Sequence, residues 1–149
     1  MGNLRSAIRQ ELYRPDVNKK IVSLQTEMEK LEQADIPVKH YFADGFYARE
    51  MRMPKNCTVV GKIHKSEHIC IISKGCVDVV SKEKTEKLTA PYTYISKPGA
   101  KRAIYAHSET VWTTVHMSEE TDVEKLEDEL IAESFQQLET KEVDKLCHG

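Results

Sequence analysis

The apolar residues of the chain change period twice. From Val17 they fall at Val17, Ile21, Leu24, Met28 and Leu31, in steps of 4, 3, 4 and 3. That spacing makes one stripe on a helix and matches the a/d seam of about two heptads. Lys19, Lys20, Glu27, Glu29, Lys30 and Glu32 lie off the seam. Upstream, residues 4–13 predict a short helix stopped by Pro15, with Asp16 as cap of the next one. A seam this short does not hold a coiled coil by itself. It serves either to pack the helix on its own domain or to join a second copy of the chain as a homodimer.

After Ala34-Asp35-Ile36-Pro37 the pattern shortens to segments rich in β-branched and aromatic residues, separated by turn signals. Strands are predicted at Val38–Phe42, Phe46–Met53, Thr58–Lys62, His68–Ile72, Cys76–Val80, Leu88–Ser96, Arg102–Ala106 and Val111–Met117. Lys82–Lys87 reads as a charged turn or edge. Such a run of short strands with close turns predicts a small all-β barrel or sandwich. The helical period then returns. Val123, Leu126, Leu130, Ile131, Phe135 and Leu138 form one stripe, and Thr121 stands three residues before Glu124 at capping-box spacing. Lys141–Gly149 reads as a second short helix or a tail. The expected organisation is a helical arm over 1–35, a β-barrel over 36–118 and a C-terminal helical segment over 119–149.

Composition fits a single domain and excludes some partners. The 149 residues suffice for one core, and 40% apolar with 31% charged is ordinary for a soluble protein. A net charge of −2 gives no general attraction to nucleic acid or anionic membrane, so neither is an expected partner. No apolar run reaches the roughly 18 residues of a membrane span. The charged N-terminus lacks the apolar core of a secretory signal. Its Met1-Gly2-Asn3-Leu4-Arg5-Ser6 start does match the permissive N-myristoylation pattern. Cys57, Cys70, Cys76 and Cys147 make no Cys-x-x-Cys pair, and the expected setting is a reducing cytoplasm.

The stretch from Gly61 to Gly75 carries the candidate chemistry. It places His64 and His68 four residues apart with Glu67 beside the second. On a strand, His68, Cys70 and Ile72 share a face; on the last strand, Trp112, Thr114 and His116 share another. If these faces point into the barrel, His64, His68, Arg102, Thr114 and His116 converge. Two or three neutral imidazoles can hold a divalent metal such as Zn, Fe, Mn or Ni, with Glu67 either orienting one of them or facing solvent. Arg102 points elsewhere. A guanidinium ligates no metal and stays charged, so an inward Arg102 favours a carboxylate or phosphate. Lys62 could assist it, and Tyr47, Tyr105 or Trp112 could stack on a ring. The leading expectation is therefore a pocket for a small anionic molecule made by Arg102, His64, His68, His116, Thr114 and Trp112, with no cofactor. The alternative uses His64, His68 and His116 as metal ligands.

Gly61…His64…His68…Gly75, followed by Lys97-Pro98-Gly99-Ala100-Lys101-Arg102, resembles the two signature motifs of the cupin superfamily. The resemblance covers about residues 38–117. It implies a small double-stranded β-helix barrel, mainly β, here with an N-terminal helical arm and a C-terminal helix. In that family the first motif supplies two histidines and a glutamate before its glycine, and the second supplies a histidine after a Pro-x-Gly. Counted from Gly75, the glutamate position falls on His68 and the histidine positions on His64 and Lys62. Counted from Gly99, the second-motif histidine falls on Arg102. The resemblance thus implies either a small-molecule binder or a metal-dependent oxygenase, isomerase or lyase. The wording of these segments is also similar to small uncharacterised cupin-like proteins of bacteriophages and prophages. That likeness implies a role in host signalling or defence within a host cytoplasm, or a virion or scaffold protein. A further alternative rests on His64-Lys65-Ser66 and His116-Met117-Ser118, two His-x-Ser triplets that resemble those of two-histidine phosphoesterases, although Glu67 and Glu119 follow them.

Overall fold

A computed structural model describes residues 17–135 and 137–138. Helix α1 (Val17–Glu29) precedes strands β1 (Val38–Ala43), β2 (Phe46–Met53), β3 (Thr58–Val60), β4 (Ile63–His64), β5 (His68–Lys74) and β6 (Cys76–Val80). Strands β7 (Thr85–Thr89), β8 (Tyr92–Ser96), β9 (Ala103–Ala106) and β10 (Thr110–Met117) follow, then helix α2 (Val123–Leu130) and strand β11 (Ile131–Ala132). One sheet has the order β1-β2-β10-β5-β8 and the other β3-β9-β6-β7, while β11 and β4 form a separate pair. Every pairing is antiparallel. The chain crosses between the sheets repeatedly, as a double-stranded β-helix requires, so the mainly-β barrel with a helix on each flank is observed. Among the described residues, no helix is long and apolar enough to cross a membrane.

Alternation decides what faces inward. His68, Cys70 and Ile72 of β5 are buried while Ile69 is exposed; Trp112 and His116 of β10 are buried while Met117 is exposed. The two sheets close over Met51, Met53, Ile72 and Trp112 from one side and Val77, Val79, Leu88, Ile104 and Ala106 from the other. The turn between β5 and β6 depends on Gly75, at φ +97°. A Cβ there would lie 2.4 Å from Thr110 Oγ1 and 2.5 Å from the Glu109 carbonyl oxygen, so no side chain fits.

Several predicted elements take a different form. The single strand over 88–96 is two strands, because Pro91 has no N–H for the ladder. The charged stretch over 82–87 leads into β7, an edge strand whose Thr, Glu and Lys suit an unpaired rim. The strand over 58–62 ends at Val60, and pairing resumes at Ile63 with a different partner. The helix cap is Asp122 and not Thr121: the Asp122 carboxylate accepts from the Glu124 and Lys125 amides. An anion suits the positive end of a helix better than a hydroxyl does.

The predicted C-terminal stripe does not stay helical. Leu126 and Leu130 pack on Tyr47, but the helix stops at Leu130. Ile131 and Ala132 turn extended and pair with His64 and Ile63, and the Lys65 amide donates to the Leu130 carbonyl at 2.8 Å. The open edge of β4 offers these backbone partners, and the pairing outweighs continued helical periodicity. At the other flank, α1 buries Ile21 and half-buries Met28, leaving Leu24 and Leu31 exposed. Its Gln25 Oε1 accepts from Lys101 Nζ at 2.6 Å, and that lysine is only 5% exposed. The predicted helix over 4–13, its Pro15 stop, the Asp16 cap, the tail over 141–149 and Cys147 lie outside the described residues.

Candidate functional site

A cavity of about 430 Å³ opens at one end of the barrel. Its walls come from β2, β5 and β10 of the five-stranded sheet, from the 59–64 segment, from Ala100, Arg102 and Ile104, and from α2 and β11. The C-terminal segment is therefore part of the cavity wall. Val123, Leu126, Glu127, Leu130 and Ile131 all face it.

Three imidazoles meet inside. The ring centres of His64 and His68 lie 4.2 Å apart, those of His68 and His116 4.6 Å, and those of His64 and His116 5.1 Å. One nitrogen of each falls within 4.8 Å of one nitrogen of both others. Strand geometry brings them together. His68 opens β5 and His116 nearly closes β10, the neighbouring antiparallel strand, so both sit at the same end of the sheet. His64 reaches them from β4, whose backbone is held by β11.

The environment keeps these rings uncharged. Burial pushes the His64 pKa down to about 3, and His68, His116, Arg102 and Arg49 add charge repulsion. Burial lowers His116 to about 4, with His68 and Arg49 adding to it. His68 is lowered as well, chiefly by burial and then by Arg102, against a backbone hydrogen bond that raises it. That bond runs between His68 Nδ1 and the Ser66 carbonyl at 3.1 Å. A carbonyl can only accept, so Nδ1 carries the proton and Nε2 keeps its lone pair. His116 Nδ1 is buried with no hydrogen-bond partner. Unpaired buried polar atoms are rare because each costs about 1–3 kcal/mol. A neutral, close-set imidazole trio with one orphaned nitrogen has the chemistry of a divalent-metal ligand set.

The other sequence candidates divide. Thr114 and Trp112 line the cavity one and two inward positions along β10 from His116. Arg102 also lines it; its Nη1 donates to Ser96 Oγ at 2.9 Å and its guanidinium lies 5.3 Å from the Tyr94 ring centre. Lys62 lines the mouth, ion-paired with Glu127. All four positions matched to the family motifs, Lys62, His64, His68 and Arg102, thus reach one cavity, and the third imidazole comes from His116 on the last strand. Glu67 does not orient a histidine: it is exposed and pairs with Lys97 at 3.2 Å. Tyr105 faces outward and donates to Asn56 Oδ1 at 3.1 Å.

Two wall residues were not singled out from the sequence as ligand groups. Arg49 lines the cavity from β2, and His40 does so from β1. Both were legible from alternation, since Tyr47, Arg49, Met51 and Met53 share one face of β2 and His40 stands opposite Arg49. His40 Nδ1 shares a 2.7 Å hydrogen bond with the Tyr47 hydroxyl, and the Tyr47 ring stacks 6.1 Å from that of His116. Burial raises the Tyr47 pKa, so its phenol is protonated at neutral pH.

No family model matches the chain, and no curated protein matches its sequence. Solved structures do resemble it. The salicylate 1,2-dioxygenase of Pseudoaminobacter salicylatoxidans is 12% identical with a TM-score of 0.50, over 69% of this chain and 32% of that one. A cupin superfamily protein of Desulfitobacterium hafniense is 8% identical with a TM-score of 0.49, over 60% of this chain and 83% of that one. An acetylacetone dioxygenase of Acinetobacter johnsonii is 14% identical with a TM-score of 0.48, over 57% and 61%. At these identities the likeness concerns the fold alone, the mainly-β barrel described above.

Proposed function

We propose that the barrel binds a divalent transition metal through His64, His68 and His116 and holds a small anionic molecule beside it. The observation that carries this reading is the imidazole trio, mutually within 4.8 Å and kept neutral by burial, with His116 Nδ1 unpartnered. On the sequence alone the metal-free anion pocket stood first; the convergence of the third imidazole favours the metal reading. When bound, such a metal supplies Lewis-acid polarisation of a ligand oxygen.

The chain's own residues do the rest. Among the described residues, the charged side chains facing the cavity are Arg49, Lys62, Arg102 and Glu127, three cations and one carboxylate. Glu127 is taken up by Lys62, so the surplus is positive and favours an anion. Met51, Val59, Ile104 and Trp112 supply the apolar floor. The Tyr47 phenol, fixed by His40, is a proton donor at the wall, which suits isomerase- or lyase-type proton transfer.

Elemental analysis of the full chain after incubation with Zn²⁺, Mn²⁺, Fe²⁺ or Ni²⁺ and desalting tests the metal. One equivalent is expected, lost on His64→Ala. Sub-stoichiometric retention of all four ions would overturn the metal half of this reading.

A further inference from the structure

The two arginines of the cavity lie at its opposite sides, and neither has an acid partner among the described residues. Across the inner face of the five-stranded sheet, register places Arg49 of β2 beside Thr114 of β10, Thr114 beside Cys70 of β5, and Cys70 beside Tyr94 of β8. Arg102 lies over the Tyr94 ring. Arg49 therefore lies three strand spacings from Tyr94, about 14 Å at the backbone, and Arg102 reaches the Tyr94 end of the row with its side chain. His68 and His116 stand one inward position further along β5 and β10, above the middle of the row.

We propose that the cavity is shaped for a short bis-anion, a dicarboxylate or a molecule of the same charge pattern, with one anionic end on Arg49 and the other on Arg102. This rests on the anionic-ligand reading above and narrows it. Arg102 is half-buried and bonded only to a neutral hydroxyl and a ring, so its charge is uncompensated where it stands. A guanidinium in that state accepts a carboxylate bidentately. Arg49 stands exposed at the cavity wall, makes no ion pair among the described residues and is flanked by His40 and Thr114, which offer no negative charge.

Between Arg49 and the Tyr94 end of the row, where Arg102 lies, stand Thr114 and Cys70, a hydroxyl and a thiol, neither able to neutralise a charge. An anion on one arginine leaves the other unpaired; a molecule with an anion at each end satisfies both.

Calorimetry on the full chain compares succinate, glutarate, adipate and phthalate with butyrate, hexanoate and benzoate, in Zn²⁺-loaded and chelator-treated protein. At least one dicarboxylate is expected to bind tenfold or more tighter than its monocarboxylate counterpart. Arg49→Gln and Arg102→Gln should each cut that preference to within about threefold, and Arg102→Lys should restore part of it if the charge is what counts. Thermal melts of each variant establish that it is folded. Equal binding of mono- and dicarboxylates overturns the bis-anion inference and leaves the metal site standing. Binding of none of the seven in either form overturns both this inference and the anion half of the proposed function. Failure of the wild-type protein to retain Zn²⁺ after desalting, with the dicarboxylate preference intact, overturns only the metal half.

Discussion

The two halves of the barrel interior are built from the same strands and have opposite chemistry. Along β5 the inward residues run His68, Cys70, Ile72; along β10, read toward the same end, they run His116, Thr114, Trp112; along β2, Tyr47, Arg49, Met51, Met53. Each strand passes from polar to apolar in two or three inward steps. At the apolar end Ile72 and Met53 are fully buried in a continuous cluster with the opposite sheet. At the polar end the sheets stay apart, and the gap is walled by β4, α2 and β11. The packed half holds the barrel together, so the open half can carry close-set imidazoles and the half-buried Arg102 guanidinium, bonded only to a hydroxyl, that a core would not tolerate.

The largest effect should come from damage to the packed half. Ile72→Ala leaves a cavity under Trp112 and is expected to cost about 2–5 kcal/mol in urea unfolding. Its folded fraction should still bind metal with wild-type stoichiometry. Loss of metal from fully folded Ile72→Ala would mean that the two halves are not separable.

His116→Ala in the open half should do the reverse. Metal retention is lost, while the chelated protein changes in stability by no more than about 1 kcal/mol, since an orphaned buried nitrogen is removed with the ring. A drop as large as that of Ile72→Ala would show His116 to be a core residue.

Acid should distinguish the halves next. Unfolded histidines take up protons near pH 6.5, whereas folded His64 and His116 hold out to about 3 and about 4. Below 6.5 the unfolded state therefore binds more protons, so stability is complete above that pH and falls as pH drops toward 4. Thermal melts of chelated protein from pH 7.5 to 4.5 should show this fall, and it should be shallower in His116→Ala. The smallest effect belongs to the mouth. The exposed Lys62–Glu127 pair contributes about 0–1 kcal/mol, so Glu127→Gln should barely move the melting temperature. By freeing Lys62 it should strengthen phthalate binding a few-fold, measured at low salt.

The pattern of alternation made much of this visible in advance. The strands β2 and β6 begin and end where turn residues and apolar period place them, and the inward faces of β5 and β10 follow from counting by two. Arg49 was readable by the same count but sits among charged neighbours, and a lone arginine on a strand carries no mark of direction. What the sequence could not show is pairing between distant segments. The stripe from Val123 to Leu138 has helical period throughout, yet Ile131 and Ala132 answer to the free edge of β4, some seventy positions earlier. Nothing local encodes that competition. The His64–His68–His116 trio is of the same kind, since its third member depends on which strand lies beside β5.

That late pairing also sets an order of assembly. A chain emerges from the ribosome N-terminus first. The strands that bring His68 and His116 together are all complete once Met117 has been made. The His64 carbonyl accepts from the Gly99 amide at 2.9 Å within the barrel, and its strand partner is added only when Ile131 and Ala132 have emerged as well. A nascent chain halted before that point has neither the α2 wall nor the β11 clamp. Among the described elements, the α2 wall and the β11 clamp of the cavity are thus the last to be made, after every strand of the two sheets.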